Sequence, residues 1–313
     1  MPAKYVWMDG ELVPAEKAAV PFLSAGLHHG LGVFEGIRAY RTARGPAVFR
    51  LREHARRLLG SAHVFALPGM RWSESEVVEA VREVVAANEF ADCYIRPLVY
   101  VREGGFNLDL SGVKISLGIA AWEMGPYLGA EAREKGIRAN VSSFTRHHPN
   151  VSMTKAKITG NYANSALAKT ESVRLGFDEA IMLDPSGFVS ECTGENLFIV
   201  RGRSIVTTAT ATILEGITRD SIVTLARDLG HEVTVEPVSR DQLYLADEVF
   251  VCGTAAEVVA LREIDGRPIG AGRTGPVTHA LQEAFHRAVH GEDPRYERWL
   301  TYVRDASVRR ALA

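Results

Sequence analysis

The chain has 313 residues, 46% hydrophobic and 24% charged, the composition of an ordinary globular protein. At roughly 100 to 200 residues per domain, that length predicts two domains, each able to bury its own core. Lys and Arg number 36 against 38 Asp and Glu, so a net charge of −2 argues against nucleic acid or an anionic membrane as partner and points to small-molecule chemistry.

Cys93, Cys192 and Cys252 are too few and too scattered for a disulfide framework or a Cys-x-x-Cys metal site, and suit a reducing cytoplasm. The N-terminus "MPAKYVWMDGELVP" lacks the apolar run of a signal peptide, and no stretch of ~18 apolar residues reads as a membrane span. The expected location is cytoplasmic, with no metal.

In chain order, "YVWMDGELV" (5–13) sets Asp9-Gly10 between apolar runs, which predicts a tight hairpin. "LREHARRLLGSAH" (51–63) has helical apolar spacing, and "SESEVVEAVREVVAAN" (73–88) opens with Ser73 and Glu76 at capping-box spacing. "CYIRPLVYV" (93–101) and "VKISLGIAAW" (113–122) read as strands by branched and aromatic content. "EMGPYLGAE" (123–131), with two Gly and a Pro, is the expected linker between a domain at 1–122 and another at 132–313.

Beyond it come strands around 137–144, a helix over 161–176 and short strands with turns over 179–208. A helix over 217–230 and a buried strand entering a Gly-Thr-Ala turn over 245–259 complete the reading. Strands and helices do not alternate regularly, so the fold class is α+β.

Each motif alone is weak. A lysine in a polar run, as in "TKAKITGNYANS" (154–165), is ordinarily a solvated charge, and "GITR" ordinarily starts a helix. Two lysines at i and i+2 of a strand share a face, so alternation leaves Lys155 and Lys157 equivalent.

The order of the motifs is specific. "FEGIRAY" (34–40), "FRLREHARRL" (49–58), "YIRPLVYV" (94–101), "YLGAEA" (127–132), "KITGNYANS" (157–165), "SECTGENLF" (190–198), "GITRDS" (216–221) and "LYLADEVFVCGTAAEV" (243–258) follow one another along nearly the whole chain. In this the sequence resembles a branched-chain amino-acid aminotransferase, a pyridoxal-phosphate enzyme of the fold-type IV class.

The resemblance implies a cofactor, pyridoxal 5'-phosphate, and roles for particular residues. In the family's pattern the Schiff-base lysine precedes the Asn-Tyr pair by four residues, which selects Lys157 before Asn161-Tyr162. Its amine would bond the cofactor aldehyde and later carry the substrate proton. Glu191 would hold the pyridine nitrogen protonated, with Glu195 the alternative. Arg57, rather than its neighbour Arg56, would meet the phosphate together with Ile217, Thr218 and Thr254. Tyr162 would hydrogen-bond the ring oxygen.

For substrate, the resemblance implies Phe34, Tyr94, Tyr127, Ala255 and Ala256 as pocket residues, with Arg96 reading carboxylate. Two positions depart from the bacterial pattern: His29 stands where tyrosine precedes "GxxxFEG", and Met124 where an aromatic is common.

The implied activity is transfer of the amino group between Leu, Ile or Val and 2-oxoglutarate in ping-pong half-reactions. D-amino-acid or (R)-amine transamination and an aminodeoxychorismate-type lyase are the alternatives on the same fold. A small N-terminal α/β domain, a larger C-terminal domain, and a homodimer or higher oligomer in which a second subunit completes the pocket are implied as well.

Overall fold

The computed structural model describes residues 3–125, 127–129 and 131–303; Pro126 and Ala130 of the expected linker, and residues 304–313 of the expected second domain, lie outside them. Two compact units form. The first holds residues 3–124, 156–160 and 287–303, the second 125–155 and 161–286. The division passes between Met124 and Gly125, and cuts the helix Pro276–Val289 between His286 and Arg287.

In the first unit, Asp9 and Gly10 both have positive φ, 53° and 123°, which matches the twist of a two-residue hairpin joining Tyr5–Met8 to Glu11–Pro14. These strands edge an antiparallel sheet that continues through Lys114–Trp122, Cys93–Glu103, Ile37–Thr42 and Gly45–Phe49 to Leu300–Tyr302. The short strand Gly32–Phe34 adds to Cys93–Glu103 beside Ile37–Thr42.

Two helices cover the sheet. Leu51–Val64 buries Leu51, Ala55 and Leu58 at helical spacing, and Glu74–Ala87 buries Val77, Val81, Val84 and Val85. Ser73 and Glu76 close the capping box reciprocally, through Ser73 N–H to Glu76 Oε2 at 2.7 Å and Glu76 N–H to Ser73 Oγ at 3.3 Å.

The second unit has a mixed sheet in the order Val189–Cys192, Glu179–Leu183, Ile137–Val141, Glu257–Ile264, Glu248–Gly253, Asn196–Arg201, Ser204–Thr208 and Glu232–Glu236. Its core runs through Ile181, Leu197, Ile199, Val249, Val251, Val259 and Leu261. Phe198 and Phe250, on neighbouring strands, stack with ring centroids 4.9 Å apart. The helices Tyr162–Arg174 and Ile217–Asp228 fall within the stretches expected for them.

The lysine segment corrects the expectation of a strand. Residues 154–156 are turn and bend, and only Ile158 makes a bridge, to Val33. Backbone hydrogen bonds nevertheless hold Lys157. Phe34 N–H donates to its carbonyl at 3.0 Å, and its own N–H donates to Ser61 Oγ at 3.0 Å.

Candidate active site

The three residues Phe34-Glu35-Gly36 organise the site residues of the first unit, each in a different way. The Phe34 ring receives the Lys157 ammonium at 4.9 Å from its centroid and the Arg96 guanidinium at 4.6 Å. Gly36 makes room for Tyr94, because a Cβ built there would lie 2.1 Å from the Tyr94 hydroxyl oxygen. That hydroxyl accepts from Arg96 Nη2 at 2.9 Å.

Arg96 is thus boxed by Phe34, Tyr94 and Trp122. It has no carboxylate partner among the described residues, and its buried Nε has no hydrogen-bond partner among them. Arg96 is only partly buried, and the aromatic contacts, worth about 0.5–2 kcal/mol to a cation, leave its other N–H bonds to water or to an anion.

Glu35 is fully buried and grips Arg57 with both oxygens, Nε to Oε1 at 2.7 Å and Nη2 to Oε2 at 2.8 Å. His54 Nδ1 lies 2.7 Å from the same Oε2. Burial pushes the Glu35 carboxyl upward, but the charge and hydrogen bonds of Arg57, aided by His54, outweigh it and hold the group far below the usual carboxylate range. Burial lowers the His54 pKa more than Glu35 raises it, so the imidazole is neutral near pH 7 and donates from Nδ1.

Breaking such a buried pair by removing one partner costs about 3–5 kcal/mol. Arg56, one residue earlier, points outward to Glu74 at 3.0 Å and is 66% exposed. Arg56 thus lies on the solvent side of the helix and Arg57 on the core side.

In the second unit, Glu191 lies on Val189–Cys192, whose ladder slips between Val189 and Glu191 and re-aims the side chain. Its Oε1 meets Arg146 Nη2 at 2.7 Å, and its Oε2 accepts from Asn196 Nδ2 at 3.3 Å and from Leu214 N–H at 3.2 Å. These donors suit an ionised carboxylate.

Asn196 also donates to Leu214 O at 3.0 Å, which ties Glu191 to the approach of the helix Ile217–Asp228. That helix begins at Gly216 with no side-chain cap, so no capping side chain satisfies the first N–H groups, at Ile217 and Thr218. A Cβ on Gly216 would lie 2.1 Å from Asn196 Oδ1, so no residue that caps with a side chain fits there.

Thr254, Ala255 and Ala256 form the turn between Glu248–Gly253 and Glu257–Ile264. The turn closes on Glu257 at φ 59°, a conformation that costs a side-chain-bearing residue about 1–2 kcal/mol and that concentrates at functional sites. Tyr162 opens the helix Tyr162–Arg174 and is half-buried.

Glu195 is in a different electrostatic state from Glu191. It is 3% exposed and, among the described residues, accepts from Gly194 N–H at 3.1 Å, whereas neighbouring Glu179 takes Lys169 Nζ at 2.5 Å and Thr193 Oγ1 at 2.6 Å. Burial, and then the Glu179 charge, push the Glu195 carboxyl up to about 8. Glu191 by contrast is paired with a cation, Arg146.

Two expected residues, Tyr127 and His29, are exposed, and Lys155 has the surface role expected of it. Lys155 is half-exposed and holds the Thr210 and Ile213 carbonyls and Glu215, which is a structural role. Tyr127 is 50% exposed, with Lys169 Nζ 6.0 Å from its ring. His29 is exposed at the end of the helix Ala25–His29, its ring 5.8 Å from that of Phe106.

Glu35, His54, Arg146 and Asn196 were not read from the sequence. His54 and Arg57 at i and i+3 share a helix face, and a carboxylate inside the apolar run "VFEGI" was the signal for their partner. Arg146 in "TRHHPN" carried no such signal. Taken as chemistry, the first unit offers an amine and an arginine held by a buried carboxylate, and the second an uncapped helix start and a glutamate paired with an arginine.

Comparison with known proteins agrees. The family model described as Amino-transferase class IV matches residues 32–264. A branched-chain-amino-acid aminotransferase of Pseudomonas aeruginosa is 48% identical over 96% of this chain and 97% of its own. A T.th. branched-chain amino acid aminotransferase with pyridoxamine 5'-phosphate superposes with a TM-score of 0.92 at 50% identity, covering 97% of this chain and all of that one. The Escherichia coli enzyme superposes at 0.93 with 46% identity, covering 96% of this chain and all of that one. A match over most of the chain at this identity, on a fold that places these residues, makes the chain a member of the class IV aminotransferase family.

Proposed function

We propose that the protein is a pyridoxal-phosphate-dependent branched-chain-amino-acid aminotransferase that exchanges the amino group between Leu, Ile or Val and 2-oxoglutarate. The observation that carries the substrate reading is Arg96, a cation in an aromatic box with no carboxylate partner among the described residues. An apolar side chain meets the Phe34, Tyr94 and Trp122 rings, while the acidic side chain of the alternate substrate meets the guanidinium. The full-length likeness to enzymes named for this activity supports the same reading.

When bound, pyridoxal 5'-phosphate supplies the aldehyde that takes up the amino group and the ring that accepts electrons as the α-proton leaves. The chain's residues do the rest. Lys157 would hold the cofactor through its amine and would carry the proton to and from the substrate α-carbon. Glu191, paired with Arg146, would hold a proton on the ring nitrogen. Of the phosphate ligands the resemblance implies, the first unit would supply Arg57 and the second the Ile217 and Thr218 N–H groups and Thr254; Tyr162 would donate to the ring oxygen, and the Ala255-Ala256 backbone would bind the α-carboxylate.

The test is a screen of Leu, Ile, Val, D-Ala and (R)-1-phenylethylamine with 2-oxoglutarate, repeated on Arg96→Ala. Branched L-donors should be fastest. The variant should lose roughly 10- to 100-fold in kcat/KM for 2-oxoglutarate, the worth of one charge-assisted hydrogen bond, and much less for 2-oxoisocaproate. A faster D-Ala or arylamine reaction sinks the substrate reading.

A homodimer belongs to this proposal. Phe22, Leu23, Leu27, Phe106 and Leu108 are 76, 69, 61, 49 and 67% exposed, and ring contacts link Phe22 through His28 to Phe106. A second copy of the chain covers this apolar face, which places His29 at the junction. Sedimentation of wild type and Phe22→Glu checks it, since a monomeric wild type ends the idea. We place the enzyme in the cytoplasm; no helix among the described residues is long and apolar enough to cross a membrane, and the three cysteines are buried and unpaired.

A further inference from the structure

Three side chains on one face of the helix Leu51–Val64 tie the phosphate arginine to the catalytic lysine. His54, Arg57 and Ser61 stand at i, i+3 and i+7. Ser61 Oγ accepts the Lys157 N–H at 3.0 Å, and the Lys157 carbonyl accepts the Phe34 N–H at 3.0 Å. The next residue, Glu35, returns to the helix and takes Arg57 bidentately, with His54 Nδ1 on the oxygen that Arg57 Nη2 also uses. The loop closes: lysine, Phe34-Glu35, Arg57, Ser61, lysine.

A guanidinium is planar, so fixing Nε and Nη2 fixes where its remaining N–H bonds point. An arginine whose only task was to bring positive charge would gain nothing from a fully buried carboxylate that offsets that charge. The pairing makes sense if direction matters more than charge, because a phosphate dianion is recognised through aligned N–H bonds. His54 completes the carboxylate's partners without adding a charge, since its imidazole is neutral.

We propose that Glu35 is a positioning residue that aims the Arg57 guanidinium at the cofactor phosphate and locks that aim to the backbone of Lys157. The inference rests on the reading of Arg57 as a phosphate ligand. Glu35 bonds Arg57 and His54 and would act on the cofactor through Arg57, so its effect falls mainly on the hold on phosphate.

The experiment measures dissociation constants of full-length wild type, Glu35→Gln, Arg57→Gln and Arg57→Lys for pyridoxal 5'-phosphate and for unphosphorylated pyridoxal. The ratio of the pyridoxal constant to the pyridoxal 5'-phosphate constant reads the hold on phosphate and is insensitive to general loosening. Arg57→Gln should lower the ratio roughly 10- to 100-fold, and Glu35→Gln nearly as much. The double variant should fall no further than Arg57→Gln.

If Arg57→Gln leaves the ratio unchanged, the reading of Arg57 fails. If it falls there but Glu35→Gln weakens both ligands equally, Glu35 is merely structural and the inference is overturned. Should Glu35→Gln not fold, Arg57→Lys decides. It keeps the charge but cannot accept a two-point grip, so a collapsed ratio supports aiming and a wild-type ratio overturns it.

Discussion

Lys157→Ala yields a folded protein with no cofactor that borohydride can fix to the chain and with transamination reduced by more than ~10³-fold, because the covalent anchor and the proton carrier are lost together. Lys155→Ala keeps both properties. The two lysines are separated by what they touch. Lys157 is half-buried, its backbone is held by Phe34 and Ser61, and its ammonium faces the Phe34 ring. Lys155 is outward and bonded to the carbonyls of Thr210 and Ile213 and to Glu215.

Losing the Lys155 contacts is expected to cost about 1 kcal/mol of stability and no chemistry. Mass spectrometry of borohydride-reduced wild type should locate the cofactor in the peptide containing Lys157. Its appearance on Lys155, or an active Lys157→Ala, would falsify the assignment.

What could be read from the sequence was local. Ser73 with Glu76 and Asp9 with Gly10 carry their geometry within four residues, so cap and hairpin were both legible. The strand Gly32–Phe34 was not, because three residues containing a glycine have no period. Its pairing with Cys93–Glu103 is decided some 65 residues away.

The same applies to Leu300–Tyr302, which joins the first unit through Phe49, Val48 and Ala47. At the site, collinear motifs pointed to the residues proposed to meet small molecules, but not to their protein partners. Glu35 and Arg146 bond other side chains, and only the folded chain shows that Glu35 pairs with Arg57 and Arg146 with Glu191. The strand parity expected for the two lysines had no counterpart, since their segment is a turn closed by one bridge at Ile158.

Glu191→Gln is expected to fold less stably and to lose roughly 10- to 100-fold or more in single-turnover rate with Leu at saturating cofactor, whereas Glu195→Gln keeps its rate at pH 7. The amide cannot hold a protonated ring nitrogen, so the electron sink weakens. It also leaves Arg146 buried beside a neutral group, a loss of the kind that costs about 3–5 kcal/mol. Glu195 has no cation bonded to it among the described residues and is already protonated near pH 7, so Gln closely mimics its native state.

The two variants also separate in their pH dependence. Glu195 has an ordinary value of 4.5 when unfolded and about 8 in the fold, so between these values the folded state keeps a proton that the unfolded chain has released. Its contribution makes wild-type stability fall as pH rises through that window, by something on the order of a few kcal/mol in total. Glu195→Gln removes this slope and should be the more stable protein at pH 8.5, with little difference at pH 5. Denaturant unfolding at pH 5, 7 and 8.5 measures it. Parallel pH profiles for variant and wild type would show that Glu195 is ionised throughout, and a slow Glu195→Gln beside a fast Glu191→Gln would move the ring-nitrogen role to Glu195.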